Sequence, residues 1–294
     1  MKKIQGAITA LVTPFTKDGS LDLPALRSLV KFQLENGINA LVPCGSTGEA
    51  ATMTNEEYQL VIKTVLEEVN GQVPVIAGAG SNDTQKAIHF SQLAKQAGAD
   101  MLLHVTPFYN KPTVAGLKAH YQAIADAVDL PIILYNVPGR TGLNCTAAMT
   151  LSIAREIPEI VGVKEASGDI SQMMEIIQST PNNFSVLSGD DSLTLPLIAA
   201  GGDGCISVVA NEVPKQFTEM TQKALAGDIK SAREMHYALL PLMDANFIET
   251  NPQPVKTALH LMGMIEESFR LPLVPMATET KAALRAVLKE QGLI

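Results

Sequence analysis

Lys164 closes the run Ile160-Val161-Gly162-Val163-Lys164, which reads as a short buried strand with an amine at its end. Side chains alternate along a strand, so Ile160, Gly162 and Lys164 are expected on one face, and Val161 and Val163 on the other. Gly162 then leaves room for the long lysine side chain. A free lysine has a pKa near 10.4 and is almost wholly protonated at pH 7; burial favours the neutral amine, which attacks ketones. Around it in the chain stand groups suited to imine chemistry on a small oxo acid. Tyr135 and Tyr109 offer hydroxyls for proton relay. The Gly45-Ser46-Thr47-Gly48 turn offers backbone N–H groups and two hydroxyls for a carboxylate, and Arg140 a two-pronged guanidinium for a second one. Each feature also has a plainer reading: an exposed strand-end lysine, packing tyrosines, a tight turn, a surface arginine.

The elements between these residues decide what they share. Strand-like runs fall at Ala7–Val12, Ala40–Pro43, Val73–Ala77, Met101–Thr106, Ile132–Asn136, Ile160–Lys164, Ser185–Ser188 and Gly204–Val208. Amphipathic stretches separate them at Leu23–Glu35, Asn55–Val69, Asp83–Ala97, Val114–Val128, Thr146–Arg155, Ile170–Thr180 and Leu193–Ala200. Thr54 and Asp83 are expected N-caps, and Gly37 and Gly98 expected helix stops. Eight strands alternating with helices predict an α/β fold, a (β/α)₈ barrel. An open doubly wound sheet is the alternative, but no GxGxxG turn follows the first strand. Residues 1–210 are expected to form the barrel core, and 211–294, which read as helices only, a barrel-closing helix and helical appendage.

Barrel enzymes place their chemistry at the C-terminal strand ends. Those ends carry Ser46 and Thr47, Tyr109, Tyr135 and Arg140, Lys164, Gly189 and Ile206, which would converge on one mouth. His104 is expected to face the barrel interior as a packing residue, and Asp190-Asp191 to N-cap the following helix. No metal spacing appears among the five histidines.

Composition narrows the partners. A net charge of −8 gives no basic footprint for nucleic acid. No apolar run reaches the ~18 residues of a membrane span. Three scattered cysteines without CxxC spacing suggest a reduced, cytoplasmic protein.

The combination Gly-Ser-Thr-Gly-Glu (45–49), Tyr-Asn-Val-Pro-Gly-Arg-Thr-Gly (135–142) and Val-Lys-Glu-Ala-Ser (163–167) resembles the dihydrodipicolinate synthase family. That family belongs to the pyruvate-dependent class I aldolases, with the N-acetylneuraminate lyases. The likeness runs from about Gly6 to the C-terminus. It implies condensation of pyruvate with aspartate semialdehyde in lysine and diaminopimelate biosynthesis, without a cofactor. Lys164 would form the Schiff base, and Tyr135 would transfer protons. Ser46 would link Tyr135 to Tyr109, which would reach across a dimer interface into a neighbouring site. Thr47 would hold the pyruvate carboxylate, Gly189 and Ile206 would line the pocket through their backbones, and Arg140 would take the aldehyde's carboxylate. A homotetramer built as a dimer of dimers is the implied assembly. Ser46 departs from the threonine common in these synthases and leans toward the neuraminate lyases, so another aldolase or lyase acting on a sugar-derived oxo acid is the alternative; Arg140 argues against it. A barrel that only binds is disfavoured, since no catalytic position is lost.

Overall fold

The computed structural model describes residues 3–294. Eight parallel strands form one sheet: β1 Gly6–Ala10, β2 Ala40–Val42, β3 Ile76–Gly78, β4 Met101–Val105, β5 Ile132–Asn136, β6 Ile160–Glu165, β7 Ser185–Ser188 and β8 Gly204–Ser207. Their order, β2-β1-β8-β7-β6-β5-β4-β3, runs once round a barrel. The seam between β2 and β3 is closed by a Leu41–Val75 bridge and by the Gly78 amide, which donates to Pro43 O at 3.0 Å. A strand buried on both faces needs no polar alternation, which is why these segments are nearly continuous apolar runs.

Two apolar layers result. Ile8, Val42, Ile76, Leu103, Ile133, Leu187 and Ile206 fill the barrel interior. Leu41, Leu102, Leu134, Val163 and Val186 pack outward against the helices. Those helices begin where their caps predict. Thr54 and Glu57 form a reciprocal capping box at the start of α2 (Asn55–Val69), and Asp83 accepts from Gln85 N and Lys86 N at the start of α3 (Thr84–Ala97). Gly98 ends α3 in a left-handed conformation, φ 102°.

The lysine strand departs from simple alternation. Ile132 pairs with Ile160 but Ile133 pairs with Gly162, so Val161 is an extra, bulged residue. The bulge rotates Ile160 to the outer layer, while Gly162 and Lys164 face inward. Gly162 does not make room for Lys164: a side chain there would meet Ser185 O at 2.8 Å. Gly189 has that task, since a Cβ on it would lie 3.0 Å from Lys164 Cε and 2.6 Å from the Ala166 side chain.

Past β8 the chain forms α9 (Pro214–Leu225), α10 (Ile229–Ala245), α11 (Gln253–Leu261) and α12 (Thr278–Glu290). It is not helical throughout, because residues 262–277 form an irregular strap between α11 and α12. Arg270 anchors that strap, donating to both carboxylate oxygens of Glu57 at 2.7 and 2.5 Å and to Gly19 O.

Candidate active site

Tyr135 and Lys164 are register partners on neighbouring strands. Both face the barrel axis near its C-terminal end, and Lys164 is only 5 % exposed. Its Nζ lies 4.4 Å from the centre of the Tyr135 ring. The ring face supplies a site of negative potential without taking the amine's lone pair. Behind the pair, on the outer side of the same strands, Asn136 and Glu165 are fully buried. Asn136 Nδ2 donates to both Glu165 oxygens at 3.1 and 3.0 Å, and Ser167 N and Gln172 Nε2 complete the carboxylate's shell. A satisfied buried network of this kind fixes the strand ends, and with them the tyrosine and the lysine.

The two residues form the floor of a cavity of about 660 Å³, whose walls include Ser46, Thr47, Arg140, Gly189 and Asn251. Thr47 is buried and accepts a hydrogen bond from Asn251 Nδ2 at 3.0 Å. Ser46 is exposed, and within the described residues no hydrogen bond joins it to Tyr135. Arg140 rides on α5 (Pro138–Thr141), a single helical turn directly after β5. It is exposed and donates one bond, Nη2 to Asn251 O at 3.1 Å, so most of its guanidinium faces the open cavity.

Two of the expected residues lie off the cavity wall. Ile206 is fully buried in the barrel interior. Tyr109 is 90 % exposed and adopts a left-handed φ of 70°. Its amide donates to Thr141 O at 3.3 Å, which ties the loop after β4 to the Arg140 turn. Cys44, Glu49 and Tyr109 are all non-glycine residues at positive φ in strand-end loops, a clustering of backbone strain typical of functional sites.

Several expectations are corrected. His104 points outward, not into the barrel. The Ser91 hydroxyl donates to Ala87 O at 2.6 Å, so it accepts from His104 Nε2–H at 3.0 Å, leaving His104 Nδ1 buried without a partner. Burial pushes the imidazole's pKa down to about 3. Asp191 does not cap its own helix; its Oδ2 accepts from Val208 N and Val209 N at 3.1 and 2.9 Å, fixing the turn after β8. Asp190 makes no side-chain cap bond either.

Three contributors escape a reading of motifs. Asn251 touches Thr47 with its side chain and Arg140 with its carbonyl. Lys256 on α11 pairs with Glu49 at 2.5 Å, with both side chains essentially inaccessible (0 and 1 % exposed). Asp190 lines the cavity beside Gly189. The buried pair clamps the Gly45–Glu49 turn to the C-terminal helices.

A closed (β/α)₈ barrel with a buried lysine, a tyrosine ring beside it and hydroxyls and a guanidinium round the mouth belongs with the lyases of the class I aldolase type. Residues 3–291 match the Dihydrodipicolinate synthetase family, and the chain belongs to that family. It is 56 % identical over 290 residues to the 4-hydroxy-tetrahydrodipicolinate synthase of Maridesulfovibrio salexigens, covering 99 % of each chain. The Geobacter sulfurreducens enzyme of that name is 52 % identical over 292 residues, again with 99 % of each covered. Among solved structures, dihydrodipicolinate synthase from Thermotoga maritima superposes with a TM-score of 0.97 at 48 % identity, covering 99 % of both chains. The Acinetobacter baumannii enzyme, complexed with pyruvate, gives 0.97 at 46 %, covering 99 % of this chain and 100 % of that one.

Proposed function

We propose that this chain condenses pyruvate with L-aspartate 4-semialdehyde, the reaction of a 4-hydroxy-tetrahydrodipicolinate synthase in diaminopimelate and lysine biosynthesis. The observation that carries the assignment of roles is Lys164 Nζ held 4.4 Å over the Tyr135 ring on the floor of the cavity. Lys164 attacks the ketone of pyruvate, whose carboxylate Thr47 and the neighbouring turn amides receive. Water leaves, and the protonated imine acidifies the methyl group. Loss of a methyl proton gives an enamine, with the imine nitrogen as electron sink, so this step calls on no cofactor. The enamine carbon then attacks the aldehyde, whose own carboxylate lies in the Arg140 fork. Finally the substrate amine closes on the imine carbon and releases Lys164.

Tyr135 is the proton carrier, since its ring lies 4.4 Å from the lysine Nζ on the cavity floor. Ser46 and a Tyr109 hydroxyl extend the relay. Within one chain Tyr109 projects away from the cavity, which suits service to a second copy, and a dimer of dimers provides that arrangement. Gly189 admits the lysine stem, and Ile206 backs the floor from the barrel interior. Three buried free thiols suit a reducing cytoplasm.

The decisive experiment is a coupled assay with pyruvate and aspartate semialdehyde, together with borohydride reduction in the presence of pyruvate. A reduced adduct should form on Lys164 and vanish in Lys164→Ala. Label on another lysine, or none at all, would remove the imine from the mechanism.

A further inference from the structure

Asn251 stands where two cavities meet, since it borders both the 660 Å³ cavity over Lys164 and an adjoining one of about 300 Å³. It is only 6 % exposed, and it serves two neighbours through different atoms. Its main-chain carbonyl accepts from Arg140 Nη2 at 3.1 Å, and its side-chain Nδ2 donates to Thr47 Oγ1 at 3.0 Å. Its Oδ1, in contrast, is buried with no hydrogen-bond partner among the described residues. An amide placed for stability alone would satisfy both of its ends, because a buried unpaired acceptor is unfavourable. The loop that carries Thr47 is held by other contacts: Glu49 pairs with Lys256 at 2.5 Å, and Gly48 N donates to Gly45 O at 3.1 Å. The bond from Asn251 therefore bears on the hydroxyl of Thr47 more than on the course of the turn.

A threonine hydroxyl has one proton to give and two lone pairs to offer. With Asn251 Nδ2 on the lone-pair side, the proton remains free, and among the described residues no protein oxygen takes it. A carboxylate carries lone pairs only, so Thr47 binds one only when its proton faces the ligand. Were the hydroxyl turned round to donate to a protein oxygen, its lone pairs would face the carboxylate and repel it. We infer, on the role for Thr47 proposed above, that Asn251 is a positioning residue of the pyruvate site, whose amide engages the lone pairs of Thr47 and turns the hydroxyl proton toward the substrate carboxylate. Arg140 reads the main chain of Asn251 and not its side chain. Replacing the side chain thus separates the pyruvate site from the Arg140 site.

The test uses Asn251→Leu, which keeps the volume and removes the amide, and Asn251→Asp, which keeps the shape and replaces the donor by an acceptor. Each is made in the parent and in a Thr47→Val background. The probe is the pyruvate concentration that gives half-maximal borohydride trapping on Lys164, beside the KM for aspartate semialdehyde. In the parent background Asn251→Leu should raise the trapping midpoint roughly tenfold or more, the loss of one hydrogen bond to a charged group. Asn251→Asp should raise it at least as far, because its carboxylate draws the Thr47 proton to itself. The KM for the aldehyde should stay within about threefold of the parent's, since the carbonyl bond to Arg140 is retained. In the Thr47→Val background Asn251→Leu should shift the midpoint by less than about twofold, because the two residues act as one unit. A full shift in that background would overturn the inference, as would a midpoint unmoved by Asn251→Leu in the parent, or equal losses for both substrates. A midpoint unmoved by Thr47→Val alone would instead remove Thr47 from the pyruvate site, and absence of trapping in the unaltered enzyme would remove the imine.

Discussion

Replacing Lys256 by Met removes one charge from a pair that no solvent reaches. The Lys256 ammonium sits 2.5 Å from Glu49 Oε1 and 4.3 Å from the centre of the Phe15 ring. Met fills nearly the same volume, so the cavity term is small, and the cost falls on Glu49. Its remaining donor is Arg270 N at 3.3 Å, a long hydrogen bond to a single oxygen. A buried carboxylate stripped of its counter-ion typically costs about 3–5 kcal/mol. At about 2 °C per kcal/mol for a chain of this size, the melting temperature should drop by roughly 6–10 °C. Because Glu49 holds its left-handed conformation at the end of the Thr47 turn, the pyruvate KM should rise as well. The assay is thermal unfolding at one fixed protomer concentration, so that any assembly equilibrium contributes equally. Adding Glu49→Gln to Lys256→Met removes the stranded charge and should restore at least half the loss. A single variant that loses under about 1 kcal/mol, or a double variant no more stable than the single, would refute the view that the pair clamps the loop.

Arg140→Ala should lower kcat/KM for the aldehyde by roughly thirty- to a thousandfold, equivalent to about 2–4 kcal/mol, with far less effect on the pyruvate KM; equal effects on both substrates would take Arg140 out of the carboxylate role. Tyr109→Phe and Lys164→Ala chains should partly complement when subunits exchange, because a hybrid pair contains one site with both native residues; fully active isolated chains at low concentration would contradict this. His104, depressed from 6.5 to about 3, contributes stability that is complete above pH 6.5 and is lost as pH falls toward 3, where the unfolded chain binds the extra proton. His104→Gln keeps a donor for Ser91 and should flatten the acid side of the stability profile; an unchanged slope would assign the acid loss to other groups, among them His120, whose pKa is also lowered to about 4 by burial.

What could be read from the chain, and what could not, follows from the range of the interactions. Strand and helix positions are local: apolar runs, caps at Thr54 and Asp83, and Gly98 with φ 102° are each set by residues within a turn or two. Convergence of Lys164 and Tyr135 follows from barrel topology alone, because every strand end of a parallel barrel meets the same mouth. The Val161 bulge is different. Val161 and Val163 suit either face equally, so side-chain type carries no signal, and the shift is set by pairing with Ile132 and Ile133. The same limit applies to Asn251 and Lys256, which act on residues 204 and 207 positions away. Nothing periodic marks them, for α11 buries all seven residues from Gln253 to Leu259, polar and apolar alike. A lysine fully buried in a helix, however, is itself informative once burial is known, because it must have an anionic partner. Here that partner is the last residue of the Gly-Ser-Thr-Gly-Glu motif. Glu49 therefore has a structural reason to stand in that motif, distinct from substrate binding: it is where the C-terminal helices take hold of the loop that carries Thr47. The barrel supplies the floor of the site, and residues beyond position 245 hold the Thr47 turn and Arg140 at its rim. Removal of those helices should cost the rim before it costs the barrel.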